Sequence, residues 1–90
     1  MKFAIVPMEA ASDKRLNARD LRVLMALLHR ANGLGGECSP SREDLASLTG
    51  LPVTRISEVT TRLEALGWVS KTGRGGKRTV YEVHLPEEAP

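Results

Sequence analysis

Three stretches of the chain carry apolar residues at the spacing of an α-helix. The apolar positions of the first stretch are Leu21, Leu24, Leu28 and Ala31. Asn17 stands just before it and can accept backbone N–H bonds as a helix cap. Gly33 follows it and is typical of a helix end. The pattern therefore predicts a helix over residues 18–31.

Two shorter helices are predicted next, with a tight turn between them. Ser41 is the best cap for a helix of about eight residues that ends at Gly50. Pro52 suits the first position of the following helix, which runs to Leu66 and stops at Gly67. The connection is too short for antiparallel packing, so the two helices must cross at a large angle, as in a helix-turn-helix unit.

After Gly67 the pattern changes from helical to alternating. Residues 68–72 and 79–85 predict the two strands of a β-hairpin. The second strand has three apolar residues on one face, which we expect to be buried: Tyr81, Val83 and Leu85. The apolar run 3–6, which Pro7 ends, predicts a short N-terminal edge strand. The predicted fold class is α+β, with three main helices, a C-terminal hairpin and this N-terminal strand.

The length of 90 residues suits a single domain, which we place at residues 1–85. Residues 86–90 have the composition of a linker or a disordered tail. The formal net charge is only +2, but residues 51–81 hold six Lys/Arg against two Glu, a local net charge of +4. A basic segment within a nearly neutral chain favours a polyanionic partner.

Several classes of function are disfavoured by what the sequence lacks. Cys38 is the only cysteine, so no internal disulfide can form. His29, Cys38 and His84 lack the spacing of metal ligands, and no grouping indicates a catalytic triad. No apolar run is long enough to span a membrane, and the first ten residues do not resemble a signal peptide. We therefore expect a cytoplasmic protein that is not an enzyme, without cofactor, metal, membrane partner or small-molecule substrate.

Candidate binding residues lie on the third helix and in the hairpin loop. The polar face of the helix carries hydroxyl and charged groups that can reach base edges or phosphates: Thr54, Arg55, Ser57, Glu58, Thr61 and Arg62. The glycine-rich loop between the strands carries three cations that can contact phosphates or enter a minor groove: Arg74, Lys77 and Arg78.

Three segments in this order resemble the winged helix-turn-helix family. They are residues 40–46 (PSREDLA), 49–52 (TGLP) and 63–69 (LEALGWV). The resemblance covers roughly residues 3–85 and is greatest to the small winged domains of plasmid and phage replication proteins and of bacterial transcription regulators. It implies that the third helix enters the major groove of DNA, that Ser41 and Arg42 touch phosphate, and that residues 73–78 form the wing.

The expected function is sequence-specific binding of double-stranded DNA, for transcription regulation or at a replication origin. Glu58 departs from the family pattern, in which Arg or Lys is frequent at its position. It can accept a hydrogen bond from cytosine N4, or it can disfavour phosphate contact and favour a protein partner on the same surface. A protein-interaction module is therefore the alternative. The sequence allows a homodimer but does not require one.

Overall fold

The computed structural model describes residues 1–73 and 78–86. Within these ranges the chain forms four helices and three strands. They are α1 (Met8–Ser12), α2 (Ala18–Ala31), β1 (Glu37–Cys38), α3 (Arg42–Thr49), α4 (Val53–Ala65), β2 (Val69–Thr72) and β3 (Val80–Val83). The predicted α+β class is confirmed, and the three main helices lie where the apolar spacing put them.

Helix α2 begins with a capping box. The side chain of Asn17 accepts a hydrogen bond from the backbone N–H of Asp20 at 2.9 Å, and the backbone N–H of Asn17 donates to the Asp20 carboxylate at 3.0 Å. This reciprocal pair satisfies two N–H groups that a helix start leaves without partners. At the other end, Asn32 adopts a left-handed conformation that closes the helix.

Helices α3 and α4 are separated by a turn that depends on Gly50. Ser41 caps α3 by accepting a hydrogen bond from the N–H of Asp44 at 3.0 Å. Gly50 ends the helix at φ 74°, a left-handed conformation that costs glycine little because it has no Cβ. Pro52 precedes α4 in an extended conformation, so it is the cap and not the first helical residue as predicted.

The sheet is antiparallel and has the order β1-β3-β2. The predicted hairpin is confirmed by the pairing of Val69 with Val83 and of Thr72 with Val80. The predicted N-terminal strand is wrong, because residues 3–6 form no strand and Phe3 and Ile5 are 72% and 75% exposed. The strand that pairs with the outer side of β3 is β1 instead. The turn after α2 brings this part of the chain to β3, because the N–H of Gly35 donates to the carbonyl of Val83 at 2.9 Å.

The core lies between the helices and one face of the sheet. Its largest fully buried side chains are Trp68, Leu24, Leu27, Leu28, Leu45, Ile56 and Leu63. Tyr81 and Val83 are buried as predicted, whereas Leu85 is exposed because β3 has already ended at Val83. In the described ranges, no helix has the length and apolar character that a membrane crossing requires.

Candidate nucleic-acid interface

Helix α4 divides sharply into a buried and an exposed side. Ile56, Val59 and Leu63 pack in the core at helical spacing. Every polar residue of α4 that the sequence singled out is exposed, namely Thr54, Arg55, Ser57, Glu58, Thr61 and Arg62. The helix therefore presents a polar surface about three turns long, since α4 has 13 residues.

One side of that surface faces α3 and the sheet, and we call it the sheet flank: Ser57, Thr61, Arg42, Lys71 and Arg78. The guanidinium of Arg42 lies 3.5 Å from the hydroxyl of Ser57. The ammonium of Lys71 donates to the hydroxyl of Thr61 at 3.0 Å. Two cations from different elements are thereby held beside the hydroxyl groups of α4.

A polar groove of about 430 Å³ runs along the sheet flank. Its walls include Ser41, Arg42 and Ser57 on the helical side and Lys71 and Arg78 on the sheet side. Three lining residues are cationic, Arg42, Lys71 and Arg78, and one is acidic, Glu43. Ser41 lies at the start of α3. The groove thus brings together residues that are 37 positions apart in the chain.

Two ionisable groups of this groove have altered proton affinity. Burial lowers the pKa of Lys71, and the nearby carboxylate of Glu64 partly offsets this effect. Burial also raises the pKa of Tyr81, and a hydrogen bond with Thr60 opposes that increase. Tyr81 is therefore a neutral side chain at pH 7 that lines the groove.

Lys71 was not among the residues that the sequence indicated. It lies two positions after the buried Val69, so it points to the same side of β2, toward α4. Its long stem covers apolar surface while its ammonium reaches the edge of the helix. The alternating pattern of β2 is the signal that could have identified it.

The opposite side of α4 faces α2, and we call it the α2 flank: Arg55 and Arg62 with Asp20 and Arg22 of α2. Arg62 donates to the carboxylate of Asp20 at 2.9 Å and to the backbone carbonyl of Arg15 at 2.6 Å. The Asp20 side chain is 1% exposed and that of Arg62 is 48% exposed. This pair therefore anchors α4 against the start of α2.

Arg55 and Glu58 form a second ion pair on α4 itself. The guanidinium of Arg55 lies 3.1 Å from the carboxylate of Glu58, three residues further along the helix. Both side chains are more than half exposed. Such a surface pair is weak, so either partner can exchange it for another contact at low cost.

A polar cluster around Trp68 holds the connection between α1 and α2. The indole N–H of Trp68 donates to the carboxylate of Asp13 at 2.8 Å. The same carboxylate accepts two hydrogen bonds from the Arg15 guanidinium, at 2.9 and 2.6 Å. The hydrogen bonds from Arg15, and then from Trp68, hold the pKa of Asp13 well below its usual range. No sequence pattern indicated this contact between residues 55 positions apart.

The loop cations are only partly within the described residues. Arg74 and Lys77 lie outside them, whereas Arg78 is described, is exposed and borders the groove of the sheet flank. Among the described residues, no group of three or more His, Cys, Asp or Glu side chains is placed to hold a metal ion.

Comparison with known protein families assigns the fold to a class. Residues 14–69 match the family described as Helix-turn-helix domain, a segment that contains α2, α3 and α4. This match spans well over half of the chain, so the chain belongs to the helix-turn-helix domain family, a family of DNA-binding domains. No curated protein and no solved structure matches the chain significantly.

Proposed function

We propose that the chain binds double-stranded DNA in a sequence-specific manner, with α4 in the major groove and the β2–β3 hairpin on the backbone or in the minor groove. Its role is to regulate a promoter or to mark a replication origin. The observation that carries the proposal is the exposed polar side of α4, with cations held beside it by α3 and the sheet. Helix-turn-helix proteins dock the second helix of the unit, which here is α4, in this way.

The dimensions of the two partners support this docking. An α-helix with its side chains is about 10–12 Å across, and the major groove of B-DNA is about 12 Å wide. Because only the core side of α4 is covered, the exposed half of the helix is available to enter the groove. Its first two turns carry the groups with the best reach toward base edges, Thr54, Arg55, Ser57 and Glu58.

The residues of the interface divide by role. Arg55 can form two hydrogen bonds with guanine once it leaves Glu58, and Glu58 can then accept from cytosine N4. Ser41, Arg42 and Lys71 line one groove, and we assign them to phosphate contacts, which fix the register of the protein on the duplex. The loop cations Arg74, Lys77 and Arg78 add further phosphate contacts or enter the minor groove. Arg62 contributes chiefly by holding α4 on Asp20.

In vitro selection from a random duplex library tests the proposal. The purified chain is expected to enrich a short consensus, since four neighbouring groups on one helix can read only a few base pairs. A palindromic consensus would indicate binding as a homodimer, and a single half-site would indicate a monomer. The selected duplex should also bind more tightly than its separated strands.

Two results would contradict the proposal. One is the absence of any enriched sequence together with no binding of random duplex at about 10 mM salt, where electrostatic attraction to phosphates is strongest. The other is equal binding to single strands and duplex, since single-strand binding relies on exposed aromatic side chains and not on a helix in a groove.

A further inference from the structure

A second group of cations lies on and beside the α2 flank, and none of them is among the residues that the sequence predicted. Lys14, Arg15, Arg19 and Arg22 lie on the α1–α2 connection and the first half of α2, and all four are exposed. The acidic residues nearest to them in the sequence are Asp13 and Asp20. The carboxylate of Asp13 is bound to Arg15 and Trp68, and that of Asp20 is bound to Arg62. Within residues 1–73 and 78–86, neither Arg19 nor Arg22 forms an ion pair.

Two contacts fix this cationic surface relative to α4. At one end, Arg62 of α4 is bonded to Asp20 of α2. At the other, the guanidinium of Arg22 lies 3.5 Å from the carbonyl oxygen of Thr49, the last residue of α3, so it reaches the turn that leads into α4. Arg19 precedes Arg22 by three residues, which places both on neighbouring positions of one helical surface. The first half of α2 thus runs beside α4 and carries two cations.

A helix in the major groove has a row of phosphates on each side. Arg42 and Lys71 of the sheet flank lie on the side of α4 that would face one of these rows. We propose that Arg19 and Arg22 contact the phosphates of the opposite strand, so that α4 is held between two cationic flanks. This inference rests on the proposed function, because it requires α4 to occupy the groove.

The bonding of these arginines is compatible with phosphate contact. A guanidinium has five N–H donors, and the contact with the Thr49 carbonyl employs one terminal nitrogen of Arg22. That contact holds the guanidinium near the turn and leaves its other N–H donors without a hydrogen bond within residues 1–73 and 78–86. Arg15 and Arg62, in contrast, are already bonded to carboxylates, so their charge is largely neutralised.

The salt dependence of binding to a labelled random-sequence duplex tests the inference. Affinity falls as salt rises, and each phosphate contact makes the slope of log affinity against log salt concentration steeper by about 0.9. Replacing both residues (Arg19→Ala with Arg22→Ala) should therefore lower the slope by roughly 1.8. The matched control, Arg19→Lys with Arg22→Lys, preserves both charges and should keep most of the slope. Thermal unfolding of both variants verifies that the fold is intact.

The outcomes separate this inference from the proposed function. If the parent chain binds duplex and the alanine variant retains the parent slope, the α2 contacts are refuted while DNA binding stands. If the lysine variant loses as much slope as the alanine variant, charge is not the cause and the inference also fails. If the parent chain binds no duplex at low salt, both the proposed function and the inference are overturned.

Discussion

Arg62 on the α2 flank and the cations of the sheet flank are bonded to partners of different kinds. On the sheet flank, Arg42 and Lys71 are hydrogen-bonded to the neutral hydroxyls of Ser57 and Thr61. On the α2 flank, Arg62 is bonded to the buried carboxylate of Asp20. A hydroxyl carries no charge that could cancel the positive charge of its partner, whereas the Asp20 carboxylate compensates Arg62. The nearby carboxylate of Glu64 acts on Lys71 only in part.

This difference shows that an exposed cation on a polar helix face is not automatically available to a phosphate. Arg55 and Arg62 lie seven residues apart, two turns of α4, and therefore share a side of the helix. Arg55 pairs with the 64% exposed Glu58, and Arg62 pairs with a carboxylate that water cannot reach. The partner's burial, which only the tertiary structure reveals, separates a base-reading candidate from a structural residue.

The largest expected effect is on stability. Arg62→Ala leaves Asp20 buried without its cation, and loss of one partner of a buried pair costs about 3–5 kcal/mol. Because Arg62 is half exposed and solvent moderates the loss, we expect a decrease of about 2–3 kcal/mol in the free energy of unfolding, measured by urea denaturation.

Arg55→Ala is the matched control for this stability experiment. Its partner Glu58 is solvated, so the free energy of unfolding should change by less than about 0.5 kcal/mol. Adding Asp20→Asn to Arg62→Ala should recover part of the loss by removing the buried charge. Equal destabilisation by Arg55→Ala and Arg62→Ala would refute the contrast between the two pairs.

The next largest effect concerns recognition. Arg55→Ala should weaken binding to the selected duplex by about 2 kcal/mol, which is within the usual range for one arginine–guanine contact. Binding to random duplex should be weakened much less. Competition titrations with the two duplexes measure the difference. Similar losses for both duplexes would mean that Arg55 contacts phosphate and reads no base.

A smaller and sequence-independent effect is expected on the sheet flank. Arg42→Ala and Lys71→Ala should each lower the salt slope by about 0.9, on selected and random duplex alike. Arg62→Ala, measured at a temperature where it is fully folded, should leave the slope unchanged because Asp20 already compensates its charge. If Arg62→Ala made the slope less steep and Arg42→Ala left it unchanged, the roles assigned to Arg62 and Arg42 would be reversed.

The smallest effect is confined to acidic solution. The pKa of Asp13 is lowered in the folded chain, mainly by its hydrogen bonds with Arg15. In the unfolded chain Asp13 takes up a proton as the pH falls to about 4, the ordinary pKa of Asp. In the folded chain the same carboxyl stays ionised at that pH, so the folded state binds fewer protons. The stability that Asp13 contributes is present above that pH and is lost as the pH falls.

Unfolding curves followed by the fluorescence of Trp68 at pH 7 and pH 3 measure this contribution. Asp13→Asn should lower stability at pH 7 and should reduce the difference between the two pH values, because the variant has no carboxyl to protonate. An unchanged pH dependence in Asp13→Asn would show that other carboxylates account for the acid sensitivity.

The main helices could be predicted because their signals are local. Asn17 and Ser41 act as caps within three residues of their partners, and Gly50 permits the tight turn without help from distant residues. The exposed side of α4 followed from the spacing of its apolar residues. These features depend on short-range chemistry that the order of residues displays directly.

The remaining features depend on contacts between distant residues. Strand β1 has only two residues, too few for an alternating pattern, and it exists because a turn brings it to β3. Phe3 and Ile5 looked like a strand, but they pair with none of the three strands of the described sheet, and the carbonyl of Phe3 is hydrogen-bonded to His29 of α2. The bond between Arg62 and Asp20 spans 42 positions. The sequence could indicate each residue separately, but not that the two side chains are bonded to each other.

The central claim is that the exposed side of α4, with its two flanks, is the surface that meets duplex DNA. The most direct measurement is a titration of the ¹⁵N-labelled chain with a short duplex, followed by the shifts of its backbone amide signals. We expect the largest shifts in the first two turns of α4 and at Arg22, Arg42 and Lys71, with little change at β1. Shifts that cluster on the N-terminal segment or β1 and spare α4 would contradict it.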